Sequence, residues 1–208
     1  MPRSSAADAA KTARAILDHA RSLLAEQGFA GVSVDDVARG VGVSRGAVYH
    51  RHRTKQELFA AVAEELQLQV GEEVLSAAET GGADAEQQLR RGCHAFLDAI
   101  TEAPRARILL LDAPSVLGWA RWRRMDAENA AAHLKDGLGQ LGYSGQLQEA
   151  ATAQLSGAMN DAALWIAEGG EERDARRMAA HELLDRLLDA VTAAGGTATS
   201  QQDSRSAH

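Results

Sequence analysis

Residues 33–57 read SVDDVARGVGVSRGAVYHRHRTKQE, and three polar starts and one glycine divide that stretch into elements. Ser33, followed by Asp35 and Asp36, suits the start of a helix, because a hydroxyl satisfies a free N–H and early acids complement the helix dipole. A short helix is expected over 34–40, with Val34, Val37, Ala38 and Val41 facing inward. Gly42 then supplies the positive φ that a tight turn needs. Ser44 caps a second short helix over 45–51. Thr54-Lys-Gln-Glu57 is a capping box that opens a long helix from Lys55 to about Ala78. Ala38 is small where the two short helices must approach, and Val41, Val43 and Val48 supply a minimal core. Two short helices joined by a glycine-bearing turn fit a DNA-reading helix-turn-helix.

The residue types on the second short helix suit that task. Ser44, Arg45, Gly46, Ala47, Tyr49 and His50 occupy its leading end and outer face. Small side chains at Gly46 and Ala47 let the backbone sit deep in a major groove, and Arg45 can pair with both acceptors of a guanine edge. Tyr49, Lys55 and the capped helix starts at Ser33 and Thr54 suit phosphates, which fix register rather than sequence. A competing motif overlaps: Gly42-Val-Ser44-Arg-Gly46 matches the G-x-S-x-G nucleophile elbow. That elbow needs a strand entering the serine, and the preceding VDDVARGV has helical spacing.

Working outward, residues 12–27 place Ala13, Ile16, Leu17, Ala20, Leu23 and Leu24 on one helical face before Gly28 stops the run. Gly81-Gly82 and Asp84 mark a later stop and start, and Pro104 and Pro114 two further boundaries. Residues 115–141, 146–168 and 172–194 each read as a helix. Strand signals are nearly absent, so the fold class is all-α. The 208 residues contain one Cys and three Pro, and 45% are hydrophobic. One thiol excludes a disulfide framework and a thiolate zinc site. The opening MPRSSAADAAK lacks a signal-peptide core, and no apolar run reaches membrane-span length. A soluble cytoplasmic protein without membrane association is expected.

Charge is divided unevenly. The net charge is −7, yet residues 1–55 carry +4 and the remainder −11. Between Val37 and Gln56 there is no acid, but five Lys/Arg and two His. Such a patch either concentrates a polyanion within about a Debye length of ~8–10 Å or is a solvated helix face.

The stretch KTARAILDHARSLLAEQGFAGVSVDDVARGVGVSRGAVYHRHRTKQELFAAV, residues 11–62, resembles the N-terminal domain of the TetR/AcrR transcriptional regulators without a gap. The resemblance rests on Gly28-Phe29, Ser33-Val34, Val37-Ala38, the run Val41 to Ser44, Gly46 to Tyr49 and Lys55-Gln-Glu-Leu58. It implies a homodimeric repressor with a three-helix DNA-binding domain and a larger helical domain holding a small-molecule pocket and the dimer interface. It also implies that Tyr49 and Lys55 grip phosphates, with Ser44, Arg45 and His50 near bases. The domains expected on this basis are a flexible arm (1–10), a helix-turn-helix domain (11–54), an effector-binding and dimerisation domain (55–195) and a disordered tail (196–208). Where that family commonly has an aromatic after the second short helix, this chain has His52. It is either a neutral core histidine or a pH-sensitive joint.

The last two helices carry apolar seams: Leu147, Ala151, Leu155, Ala158, Ala162 and Trp165 on one, and Ala179, Ala180, Leu183, Leu184, Leu187, Leu188 and Val191 on the other. The resemblance makes Leu155, Ala158, Ala162, Trp165, Leu184, Leu187, Leu188 and Val191 a dimer interface; an intramolecular core is the other reading. Phe96, Trp119, Trp122 and Asn160 are the expected ligand-binding residues, with core packing as the alternative for the tryptophans and solvent for Asn160. Cys93 reads as a buried thiol. His94, His133 and His181 show no ligand spacing, so neither metal nor cofactor is expected. The function so read is regulation of transcription, most simply repression from a palindromic duplex DNA site relieved by a small, largely apolar effector. The alternatives are a regulator without an effector, or a helical enzyme using the same pocket. A titratable pair with shifted pKa in the pocket marks the enzyme; an apolar cavity with few polar groups marks the receptor.

Overall fold

The computed structural model describes residues 6–80, 82 and 84–194. Its helices are α1 (Ala6–Gly31), α2 (Val34–Gly40), α3 (Arg45–Arg51), α4 (Lys55–Glu79), α5 (Ala85–Thr101), α6 (Ala103–Arg105), α7 (Ala113–Leu117), α8 (Trp119–Ala127), α9 (Ala130–Gln140), α10 (Gly145–Ala167) and α11 (Arg173–Ser206). Among the described residues there is no strand, and the all-α expectation holds. The tail expected over 196–208 lies outside the described residues, as do residues 1–5 of the expected arm.

Residues 6–10, expected in that arm, are instead helical. The sequence AADAA is rich in the best helix former, and Asp8 sits in the first turn where the dipole favours it. The regular part of α1 ends at Gly28, whose φ of 69° and ψ of 173° break the hydrogen-bond ladder. The positive φ suits glycine, and an added Cβ would also require the Arg107 guanidinium to shift.

The single helix expected over 115–141 is three. Gly118, at φ 81°, separates α7 from α8, and Glu128-Asn129 separates α8 from α9. Pro104 and Pro114 both lie in short helices, Pro114 in the first turn of α7, where a missing N–H is tolerated. Between them Ala106–Asp112 is π-helical, and the Ala113 N–H reaches back five residues to the Ile108 carbonyl. A widened turn of this kind accommodates the proline that follows.

The chain divides into two compact units. The first comprises residues 1–66 and 103–122. Its core is Ile16, Ala20 and Leu24 of α1, Val34, Val37 and Ala38 of α2, Val48 of α3, Leu58, Phe59 and Val62 of α4, and Ile108 and Leu109. The Phe29 and Phe59 rings pack edge to face, with centroids 5.3 Å apart. The Phe29 N–H donates to Asp112 Oδ2 at 2.9 Å, which occupies a donor freed by the break at Gly28. The unit thus draws in the start of α4 and the 103–122 segment, because α1 needs that cover for its apolar face.

The second unit comprises residues 67–102 and 123–208. Here α5, α9, α10 and α11 pack around Leu89, Phe96, Leu97, Ile100, Leu134, Leu138, Met159, Ala163, Ile166, Leu184 and Leu188. Asp84 caps α5 by accepting from the Gln87 N–H at 2.9 Å. Tyr143 donates its hydroxyl proton to the Val191 carbonyl at 2.8 Å and ties the α9–α10 connection to α11.

Candidate nucleic-acid interface

The two short helices are built from their caps. Ser33 Oγ accepts from the Asp36 N–H at 3.1 Å, and Asp36 Oδ2 accepts from the Ser33 N–H at 3.2 Å, closing a reciprocal box. The Ser33 hydroxyl also donates to Asp36 Oδ2 at 2.5 Å, and this bond, with that from the Ser33 N–H, holds the Asp36 carboxyl below its usual pKa, so it is ionised at neutral pH. Val43 N–H bonds back to the Ala38 carbonyl at 3.0 Å, and Gly42 takes φ 69° to turn the chain. Ser44 Oγ then accepts from the Ala47 N–H at 3.2 Å. The serine therefore follows helix α2 and caps α3; the strand entry of a nucleophile elbow is not there.

Val48 anchors α3, with none of its surface exposed, while Ser44, Arg45, Gly46 and His50 face outward and Ala47 and Tyr49 lie half-buried at the flanks. Arg39, Arg51 and Arg53 are also exposed. Arg45 is poised by two neighbours. Its Nη1 lies 3.1 Å from Asp35 Oδ2, and its guanidinium carbon sits 5.2 Å from the Tyr49 ring centroid. The hydrogen bond to Tyr49 and the charge of Asp35 raise its pKa further. Lys55 Nζ lies 4.2 Å over the Phe29 ring, which holds the ammonium at the start of α4.

The helix starts at Ser33 and Thr54 are partly occupied by the chain's own acids. Thr54 Oγ1 accepts from the Glu57 N–H at 3.0 Å, but Glu57 Oε2 accepts from the Arg53 N–H at 2.7 Å, one residue upstream of the expected box. Phosphate at either start must compete with Asp36 or Glu57. His52 ends α3, its N–H bonded to the Val48 carbonyl at 2.9 Å. Burial, and then the charge of Arg51, lower its imidazole pKa, which keeps it neutral at neutral pH.

In the second unit a cavity of about 230 Å³ is walled by Val74, Leu89, Phe96, Leu134 and Met159. Of the expected ligand residues, Phe96 lines it. Trp119 is 66% exposed, Trp122 is buried with its Nε1–H bonded to the Leu109 carbonyl at 2.8 Å, and neither lines this cavity. Asn160 is buried beside the cavity's polar end, where its Nδ2–H donates to Asp126 Oδ2 at 3.2 Å. Asp126 itself lines the cavity and was not legible in the sequence, because its partners Ser156 and Asn160 lie on a distant helix. Burial raises its pKa against the lowering effects of Ser156, Arg123 and Asn160. Cys93 also lines the cavity, and burial pushes its thiol up to about 12. A thiol so desolvated keeps its proton and is no nucleophile.

The apolar seams of α10 and α11 separate into two sets. Leu188 is fully inaccessible within the chain's own core, whereas Leu155 and Leu184 are largely buried but lie at the floor of an open groove. Ala158, Ala162, Trp165, Leu183 and Leu187 border an open groove of about 430 Å³, with Trp165 45% and Leu183 57% exposed. Val191 is half-buried.

His94 and His181, read as unrelated in sequence, stack between α5 and α11 with ring centroids 4.9 Å apart. Their Nδ1 atoms approach to 2.6 Å, and the Nε2 atoms lie 2.9 Å from Asp185 and Asp98. Among the described residues, no three His, Cys, Asp or Glu side chains gather in metal-holding geometry.

Comparison with known proteins matches both parts of the chain. The profile described as "Bacterial regulatory proteins, tetR family" matches residues 16–62, and "Tetracyclin repressor-like, C-terminal domain" matches residues 86–191. The transcriptional regulator AcrR of Shigella flexneri is 30% identical over 110 residues, which are 53% of this chain and 51% of AcrR. The chain thus spans about half the length of that relative. The crystal structure of a TetR-family regulator from Pectobacterium atrosepticum is 32% identical, with a TM-score of 0.73 over 90% of this chain and 97% of the other. FadR from Bacillus subtilis, solved with stearoyl-CoA, shares the fold at 17% identity and a TM-score of 0.65, over 86% of this chain and 97% of FadR.

Proposed function

This chain belongs to the TetR family of bacterial regulatory proteins, and from that premise we propose that it is a transcriptional regulator that docks α3 in the major groove of duplex DNA. The observation that carries this reading is the orientation of α3. Val48 fixes its inner side, and Ser44, Arg45, Gly46 and His50 form an exposed face within a stretch free of acids from Val37 to Gln56. Arg45 reads a base edge, while Lys55 and Tyr49 hold phosphate.

The chain acts as a homodimer through the α10–α11 groove, which puts two copies of α3 on successive turns of a palindromic site about 34–36 Å apart. Burying Trp165, Leu183 and Leu187 removes exposed apolar surface that a monomer leaves in water. An effector in the α5–α9–α10 cavity favours a conformer whose two heads no longer match that spacing, so occupancy lowers DNA affinity by population shift. The cavity supports a receptor over an enzyme, because its walls are largely apolar side chains and burial keeps its Cys93 thiol protonated and unreactive.

The test is DNA binding of the native, Arg45→Ala and Lys55→Ala chains over a series of salt concentrations. Arg45→Ala relaxes base preference, and Lys55→Ala weakens every sequence alike and reduces the salt slope by about one. Equal, salt-independent losses in both variants would refute these roles.

A further inference from the structure

The cavity of the second unit has a distinctive polar composition. Its lining contains Glu79, Asp126 and Asp136 with His133, and neither Lys nor Arg among the described residues. Glu79 and Asp136 are exposed at the periphery, while Asp126 is 1% exposed. Asp126 Oδ2 accepts from Ser156 Oγ at 2.8 Å, Arg123 Nη1 at 3.1 Å and Asn160 Nδ2 at 3.2 Å. These three donors converge on one oxygen; Oδ1 accepts no hydrogen bond among the described residues. Asn160 Oδ1, in the same network, is buried and likewise lacks a partner. The polar end therefore offers spare acceptors, while the donors Arg123, Ser156 and Asn160 are already engaged with Asp126 Oδ2.

Buried acceptors without donors are costly, and a ligand that brings N–H groups removes that cost. A ligand carboxylate or phosphate meets the opposite situation. It adds a like charge beside buried Asp126, whose cationic neighbour Arg123 is already paired with Oδ2 at 3.1 Å. The body of the ligand is set by Val74, Leu89, Phe96, Leu134 and Met159. At the packing density of a protein interior, about 230 Å³ holds roughly ten non-hydrogen atoms.

On this ground we propose that the cavity binds a small apolar amine, whose ammonium group donates to Asp126 Oδ1 and whose hydrocarbon body lies against Phe96 and Leu134. The proposal rests on the reading of this cavity as an effector site and names the chemistry of its ligand. It assigns the site to organic monocations and excludes fatty acids and other anionic amphiphiles.

Three compounds with the same aromatic body test it: 2-phenylethylamine, 2-phenylethanol and phenylacetate. Binding to the full chain without DNA is followed by titration calorimetry. The amine binds, the alcohol binds more weakly, and phenylacetate binds at least about 30-fold more weakly than the amine. Asp126→Asn keeps the shape of the side chain and removes its charge, and it narrows the amine-to-carboxylate ratio at least 10-fold. If that variant fails to fold by circular dichroism, the ratio on the native chain decides alone. Phenylacetate binding as tightly as the amine, or no binding by any of the three, overturns the proposal. A separate arm adds the amine to the DNA complex. Amine binding that leaves DNA affinity unchanged supports the site and overturns the effector reading.

Discussion

Asp35→Asn separates what Arg45 does in the free chain from what it does on DNA. In the free chain the Arg45 guanidinium lies 3.1 Å from Asp35, and the two side chains are 60% and 49% exposed. To reach a base edge, Arg45 must leave that carboxylate. Both side chains stand in water, where solvent and salt screen an ion pair and leave it weak. Removing the competing charge therefore tightens DNA binding by about 1.4- to 5-fold. Folding stability moves the other way, because Asp35 lies in the first turn of α2 and its charge complements the positive end of the helix dipole there, a term of about 0.3–1 kcal/mol. The assay is fluorescence anisotropy with a labelled duplex, run as a double-mutant cycle of Asp35→Asn with Arg45→Ala. The gain vanishes when Arg45 is absent. Weaker binding by Asp35→Asn would show that Asp35 positions Arg45 for DNA. A gain that survives in the double variant would show that Asp35 acts on phosphate directly; either result refutes the competition.

Gly42→Ala tests the turn. Gly42 holds φ 69° with open space around it, so the cost is backbone strain of about 1–2 kcal/mol, partly offset by about 0.4–1 kcal/mol from a less flexible unfolded chain. Urea denaturation measures it, and an unchanged midpoint would show that the turn tolerates a side chain. His52 sets a pH dependence. Its folded pKa lies below the ordinary imidazole value of 6.5, so the unfolded chain binds the proton more readily. The stabilisation is complete above that value and is lost as pH falls through the folded pKa. Thermal melts from pH 7.5 to 5.5 show a steeper decline for the native chain than for His52→Phe, and parallel curves would remove His52 as the cause. Trp165→Asp with Leu183→Asp converts a dimer to a folded monomer by light scattering. Leu188→Ala instead destabilises the chain by about 2–5 kcal/mol; dissociation by Leu188→Ala without loss of stability would reverse the two assignments.

The helix-turn-helix was legible because its determinants are local. Ser33, Gly42 and Ser44 act within four residues of their own position, through caps and one positive φ, and the structure reproduces each. The long helix from Lys55 was legible for the same reason. The breaks at Gly118 and Asn129 were not, since apolar spacing continues across both and only packing decides that the chain turns there. The seam of α11 was legible as apolar but not as two surfaces: Leu184 and Leu188 face the core and Leu183 and Leu187 face outward, one position apart. A stripe broad enough to serve both sides carries no mark of the division. His94 with His181, and Asp126 with Ser156 and Asn160, were hidden because each set joins distant segments. The polar residues Asn160 and Asp161 interrupting an apolar run were a partial signal: Asn160 is buried in the Asp126 network, and Asp161 is exposed.

The central claim is that the outer face of α3 reads duplex sequence, and enrichment of DNA from a random-sequence pool by the native chain and by Arg45→Ala tests it most directly. The account predicts that the native chain recovers a two-fold symmetric sequence, with guanine enriched at the position where Arg45→Ala recovers none. Recovery of the same sequence by both chains, or of unselected DNA by the native chain, would contradict it.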